Sequence, residues 1–132
     1  MNEMYYNALD VYNNRENFLD KESIVPSSSP EIWGSKFWYV LHNGAVNYPI
    51  AASITWQEKM IGFIKGIYVM LPCVSCSQHA LSYIESSDLS VVVKGRRELF
   101  TFFWEFHNDV NRRINKKVVS FEEATKIWNL KL

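Results

Sequence analysis

Apolar side chains recur at helical spacing along most of the chain, most clearly between residues 96 and 114. Leu99, Phe103, Phe106, Val110 and Ile114 follow one another at intervals of three or four, which places them on one face of a helix. A second stripe of Phe100, Trp104, His107 and Asn111 runs beside it, aromatic at one end and polar at the other. Earlier, Trp33, Phe37, Leu41, Gly44 and Tyr48 mark another helix. It starts at Ser29-Pro30-Glu31, an N-cap, a first-turn proline and an acid suited to the helix dipole, and Pro49 ends it. Thr55-x-x-Glu58 has the form of a capping box and opens a helix with the stripe Trp56, Met60, Phe63 or Ile64, Ile67 and Leu71, which Pro72 interrupts. A shorter helix begins at Cys73 and Cys76 and carries Ala80, Tyr83 and Ile84. Ser86 to Gly95 reads as a connector, whose Val91-Val92-Val93 has strand propensity but no partner strand. Finally Ser120-x-x-Glu123 caps a short helix through Trp128.

These elements predict an all-α protein, a four-helix up-down bundle with a short fifth helix. No period of 20–50 residues marks a repeat architecture. Residues 1–29 read as a flexible tail that closes on Pro26-Ser27-Ser28-Ser29, with a short helix around Met4–Tyr12, and residues 30–132 as one domain.

Composition narrows the function. The chain has 132 residues, 48% hydrophobic and 15% aromatic, enough to bury a core without staples. Its formal net charge is zero, which argues against a general nucleic-acid or membrane-surface binder. No apolar run approaches the roughly 18 residues of a membrane span. The first 29 residues hold five acids and two bases and no apolar run, unlike a signal or transit peptide. Only two cysteines are present, three apart, too tight a loop to staple a fold.

Candidate chemistry gathers at three places. Cys73 and Cys76 start a helix, where unpaired amide N–H groups and the dipole favour a thiolate and make the pair reactive. Two other readings of the spacing stay open: part of a zinc site made of Cys73, Cys76 and His79, or two unreactive buried thiols. In His107-Asn108-Asp109-Val110-Asn111 an aromatic helix turns polar, consistent with a ligand to hydrogen-bond or with a polar helix end. Arg112, Arg113, Lys116 and Lys117 follow; they suit the helix C-terminus, and one or two could neutralise a diphosphate. Trp38 and His42 share a face offset from the core stripe, as stacking on a planar ring requires, although a packed histidine beside the core fits as well.

Three segments in order, Trp33-Gly34-Ser35-Lys36-Phe37-Trp38-Tyr39-Val40-Leu41-His42, then Leu71-Pro72-Cys73-Val74-Ser75-Cys76, then His107-Asn108-Asp109-Val110-Asn111-Arg112, resemble the Erv/ALR family of FAD-linked sulfhydryl oxidases. The resemblance covers residues from about 31 to 128 and is greatest to the compact versions encoded by large cytoplasmic DNA viruses. It implies a helical bundle, usually a homodimer, with non-covalent FAD at the mouth of the bundle. Cys76 is implied as the flavin-proximal thiol and Cys73 as the distal thiol that exchanges with substrate. The implied FAD contacts fall on Ser35, Lys36, Phe37, Trp38, Leu41, His42 and Asn47, then on His107, Asn108, Val110, Asn111, Lys116 and Lys117, with Trp128 closing the adenine side. Many members carry a shuttle cysteine pair in a flexible tail, whereas residues 1–29 here hold no cysteine. Electrons are therefore expected to reach Cys73 directly from a separate small dithiol protein and to end on molecular oxygen as hydrogen peroxide. Host cytoplasm or a virion is the implied location.

Overall fold

The structure, a computed structural model, describes residues 29–132. The expected tail and its Met4–Tyr12 helix lie outside the described residues. Within them every regular element is helical: α1 Pro30–Val46, α2 Ile54–Gly66, a 3₁₀ turn Ile67–Met70, α3 Val74–Glu85, α4 Leu89–Val92, α5 Arg96–Arg113 and α6 Phe121–Ile127. The long pair α1 and α5 lie against each other; α2 and α3 pack through the 3₁₀ turn, and α4 and α6 cover the flanks of α5.

Local chemistry sets most of the boundaries. The Ser29 Oγ accepts from the Glu31 N–H at 3.4 Å, so α1 begins at the expected cap with Pro30 in its first turn. The Ser120 Oγ likewise accepts from the Glu123 N–H at 3.1 Å. The cap of α2 differs from expectation. Ser53, not Thr55, receives an N–H, that of Trp56 at 3.2 Å, because Ser53 is the last extended residue before the helix. That helix ends at Gly66 and tightens into the 3₁₀ turn, so its stripe does not continue unbroken to Leu71. Ile64, rather than Phe63, is the buried member, and Trp56 is 55% exposed. The Val91–Val93 segment is no strand either. Asp88 accepts from the Ser90 N–H and caps the short helix α4.

The core centres on α5, where Leu99, Phe100, Phe102, Phe103 and Phe106 are all buried. Full burial of each phenyl ring contributes about 2–3 kcal/mol. Phe100, read as part of a second stripe beside the core one, is completely buried against the Phe121 ring. Trp104 from the same stripe packs on Phe121 and donates from Nε1 to the Val119 carbonyl at 2.8 Å. The stripe turns inward because α6 folds back over it. On α1 the buried positions are Leu41, His42 and Ala45, with Tyr48 buried just beyond its end; Gly44 is exposed, and Ile114 just past α5 is half exposed.

Three hydrogen bonds fix the bundle at the end away from the cysteines. The Tyr48 hydroxyl donates to the Val93 carbonyl at 2.8 Å, and Arg96 Nε donates to the Tyr48 carbonyl at 2.7 Å. The Ala52 N–H bonds the Lys94 carbonyl at 2.9 Å. Gly95 sits inside this crossing, buried, and a Cβ there would strike the Ile50 carbonyl oxygen.

Candidate active site

At the opposite end, α1, α3 and α5 border a cleft of about 1020 Å³. Ligand sites run to roughly 300–1000 Å³, so this one has room for a large molecule. α1 contributes Ser35, Phe37, Trp38 and Leu41 to its walls; α5 and the turn after it contribute His107, Val110, Asn111, Lys116 and Lys117. Trp128 closes one side and Cys76 enters from α3. All of these were legible in the sequence. Trp33, Tyr39, Leu71, Phe106 and Arg113 line it too. The first four were read as core or as quoted motif, and Arg113 as a cation at the helix C-terminus that could neutralise a diphosphate.

Cys73 and Cys76 are joined by a disulfide, with Cα atoms 5.2 Å apart. The two sulfurs are not equivalent. Cys76 lines the cleft, whereas Cys73 is not among its walls. Cys73 is the N-cap of α3, and its Sγ accepts from the Cys76 N–H at 3.3 Å and lies 3.4 Å from the Ser75 hydroxyl. Those contacts, with the helix dipole, favour a thiolate at Cys73 when the bond opens. His79, one turn beyond Cys76, has its Nε2 2.8 Å from an Asp109 carboxylate oxygen. Among the described residues no group of three His, Cys, Asp or Glu side chains is placed to hold a metal ion, so the zinc triad does not form.

His42 is more deeply placed than its offset face suggested, at 2% exposure. Its Nε2 is hydrogen-bonded to the His107 Nδ1 at 2.9 Å, joining α1 to α5 below the cleft. Burial, reinforced by the neighbouring His107, pushes His42 down to about 4. Burial, with the Lys116 ammonium, pushes His107 to about 4. Both imidazoles are thus neutral near pH 7, one donating to the other. His107 stacks on Trp38, centroids 4.2 Å apart and planes within 6°, and His42 stacks on Trp128 at 4.7 Å.

The basic edge arises from a backbone device. Asn115 takes a left-handed conformation, φ 59°, just beyond α5. The Lys116 N–H then bonds the Asn111 carbonyl at 2.7 Å and the Asn115 N–H bonds that of Arg112 at 3.2 Å, a Schellman turn. It folds Lys116 and Lys117 back over the cleft. Asn129, φ 55°, ends α6 in the same way and fixes the chain beside Trp128.

Four implied contacts lie off the walls: His42, beneath the cleft, and Asn47, Asn108 and Lys36. Asn47 caps the C-terminus of α1, its amide donating to the Asn43 carbonyl at 2.8 Å. Asn108 is buried, donating to the Val119 carbonyl at 2.7 Å and accepting from its N–H at 2.9 Å. Lys36 is exposed on α1.

The residues present fit a flavin dinucleotide. The cleft is aromatic on its flanks and basic at one lip, and a redox disulfide enters it. The buried Nδ1 of His42 has no hydrogen-bond partner among the described residues, an expensive omission that a bound polar group would satisfy.

Fold and cleft together define a helical redox protein built around a dithiol and a large planar, anionic cofactor. The model of the Erv1/Alr family matches residues 35–129, and the chain belongs to that family. A protein of Invertebrate iridescent virus 3 is 47% identical over 90 residues, 68% of this chain and 61% of that one. The chain thus spans about three fifths of that relative. The FAD-linked sulfhydryl oxidase of African swine fever virus is 38% identical over 98 residues, 73% of this chain and 79% of the relative. Among solved structures, the yeast Erv1 core superposes with a TM-score of 0.74 at 24% identity, covering 86% of this chain and 93% of its own. The FAD-binding domain of Erv1 from Saccharomyces cerevisiae gives 0.69 at 28% identity, covering 74% and 91%.

Proposed function

We propose that this chain is an FAD-dependent sulfhydryl oxidase that makes disulfides in protein thiols, with residues 30–132 as the catalytic domain. The observation that carries this reading is the asymmetry of the disulfide: Cys76 lines the aromatic cleft and Cys73 lies outside it. Bound in the cleft, FAD supplies a two-electron acceptor that hands the pair on to molecular oxygen, giving hydrogen peroxide. The residues assigned to hold it are Ser35, Phe37, Trp38, Leu41, Val110 and Asn111 along the walls, His42 and His107 beneath, and Trp128 at the side. Arg113, Lys116 and Lys117, at the basic lip, would neutralise its diphosphate. Asn108 acts by holding Val119 in place, and Lys36 and Asn47 would meet only parts of the cofactor that extend beyond the cleft.

A substrate thiolate attacks Cys73, the S–S bond breaks and Cys76 leaves as a thiolate. A second substrate thiolate then attacks the substrate sulfur of the mixed disulfide. Cys73 is released, stabilised by the N-terminus of α3. Two electrons have then passed from the substrate pair to Cys73 and Cys76, the two substrate protons having gone to solvent as the thiolates formed, and the Cys76 thiolate stands at the cleft wall. The substrate is a separate small dithiol protein, in keeping with a tail that has no cysteine. The exposed Tyr39 and Val40 on α1, with Trp56 and Phe63 on α2, support pairing with a second copy. The viral relatives favour the host cytoplasm or the virion, and among the described residues no helix is long and apolar enough to cross a membrane.

The test is the purified protein's absorption spectrum and its oxygen uptake with dithiothreitol. A yellow protein that consumes oxygen is expected, with uptake abolished by Cys76→Ser while the flavin spectrum remains. A colourless protein, or unchanged uptake in Cys76→Ser, would overturn the reading.

A further inference from the structure

The segments that flank Cys73 in sequence carry exposed apolar side chains. Val69 is 69% exposed, Met70 75% and Val74 75%. The 3₁₀ turn presents the first two and the first turn of α3 the third, on either side of Cys73. From Gly66 to Ile84 the sequence contains no Asp, Glu, Lys or Arg. Single exposed apolar residues are ordinary, but three at such exposure flanking one reactive bond are not. Whatever exchanges with Cys73 must bring its own sulfur into contact with that sulfur, so the occupant of this surface is the protein whose thiol is being oxidised.

We propose that Val69, Met70 and Val74 form a docking surface for an uncharged, apolar segment flanking the cysteine of the substrate protein. The inference rests on the oxidase reading and adds its specificity. Interface centres are depleted in charge because a charged side chain that loses water there finds no partner. A substrate cysteine flanked by Glu or Lys would bury that charge against valine and methionine with nothing to pair it. One flanked by Leu or Val loses only ordered water. The surface therefore selects by apolar contact and rejects by unpaired charge.

Two dithiol peptides identical except for their flanks, Leu and Val in one and Glu and Lys in the other, test this with the full chain. The ratio of kcat/KM for oxygen uptake should favour the apolar peptide about tenfold, the equivalent of one well-buried apolar side chain. Dithiothreitol serves as the reference thiol. The pair Val69→Lys and Met70→Lys, and separately Val69→Ser and Met70→Ser, should bring the ratio close to one. Versions of both peptides with Ser in place of Cys report binding without chemistry by fluorescence anisotropy. The apolar one should bind the wild-type chain more tightly and lose that advantage in both variants. No preference in the wild type, a preference that survives both variants, or a higher peptide turnover in them would overturn the proposal. So would a change of sedimentation in the variants, which would make the surface an interface between copies. If dithiothreitol drives no oxygen uptake but the apolar peptide still binds selectively, the oxidase reading fails and the docking surface stands.

Discussion

At one end of the cleft, from Gly66 through Ile84, the chain carries no formal charge; at the other, Arg113, Lys116 and Lys117 crowd the last turn of α5 and the turn beyond it. The thiol end draws its polarity from backbone, since the N–H of Cys76 points at the Cys73 sulfur and the dipole of α3 does the rest. The phosphate end draws its polarity from side chains delivered by a Schellman turn. Between them two neutral imidazoles share one hydrogen bond. The contrast shows how a small bundle keeps two electrostatic tasks apart. A lysine beside the disulfide would favour the thiolate too, yet it would sit in the path of an apolar partner. An anion-binding end made only of amides would lack net charge against two phosphates.

Reversing the basic end should give the largest effect. Lys116→Glu with Lys117→Glu should weaken FAD binding by about 100-fold, since each charge-assisted contact is worth roughly 1.5–3 kcal/mol. Isothermal titration of the apoprotein measures this. The salt dependence of binding should shrink with it, and unchanged affinity would remove the phosphate end from the comparison.

The neutral middle comes next. His42 and His107 are each held near 4, below the ordinary 6.5, so the unfolded chain binds protons that the folded one resists. Their contribution to stability is fully present above pH 6.5 and is lost progressively as the pH falls toward 4. Thermal unfolding from pH 7 to pH 4 should show a falling Tm. His42→Phe with His107→Phe should flatten that slope even if it lowers Tm at pH 7, and an equally steep slope in the double variant would assign the acid sensitivity elsewhere.

The smallest effect should come from the support of the basic end. Asn108→Ala leaves the Val119 N–H and carbonyl without their side-chain partner and should cost about 2 kcal/mol in urea unfolding. Turnover with dithiothreitol at saturating FAD should change little. A large loss of turnover would mean that the two ends are coupled through α5.

Much of this could be read in advance from spacing. The α5 stripe from Leu99 to Phe106, the caps at Ser29 and Ser120 and the helix start at the cysteines depend on residues within one or two turns, and each formed as expected, whereas Val110 and Ile114 at the end of that stripe line the cleft. Thr55 misled because a cap is decided by which residue stays extended, and Ser53, two positions earlier, has the same chemistry. Phe100 and Trp104 misled because their side of α5 looks amphipathic until α6 covers it, a long-range event that no local window contains. Of the site, the motif residues of α1 and α5 were legible. The depth of His42 and its bond to His107 join residues 65 apart and were not. The sharp turn at Asn115 had a visible sign, an asparagine just past the last apolar repeat, but its consequence for Lys116 and Lys117 required the path of the backbone.

Gly95 has a bearing on all of this from far away. It lies about 18 Å along α5 from His107, twelve residues at roughly 1.5 Å each. Because it carries no side chain, the loop after α1 rests directly on the backbone at the root of α5. A stiff helix anchored at one end behaves as a lever. Any residue with a Cβ at position 95 would lift that root off the Ile50 carbonyl and tilt or slide the far end relative to α1. The alignment of His107 with Trp38, at the business end of the molecule, is thus calibrated by the least substantial residue at the other.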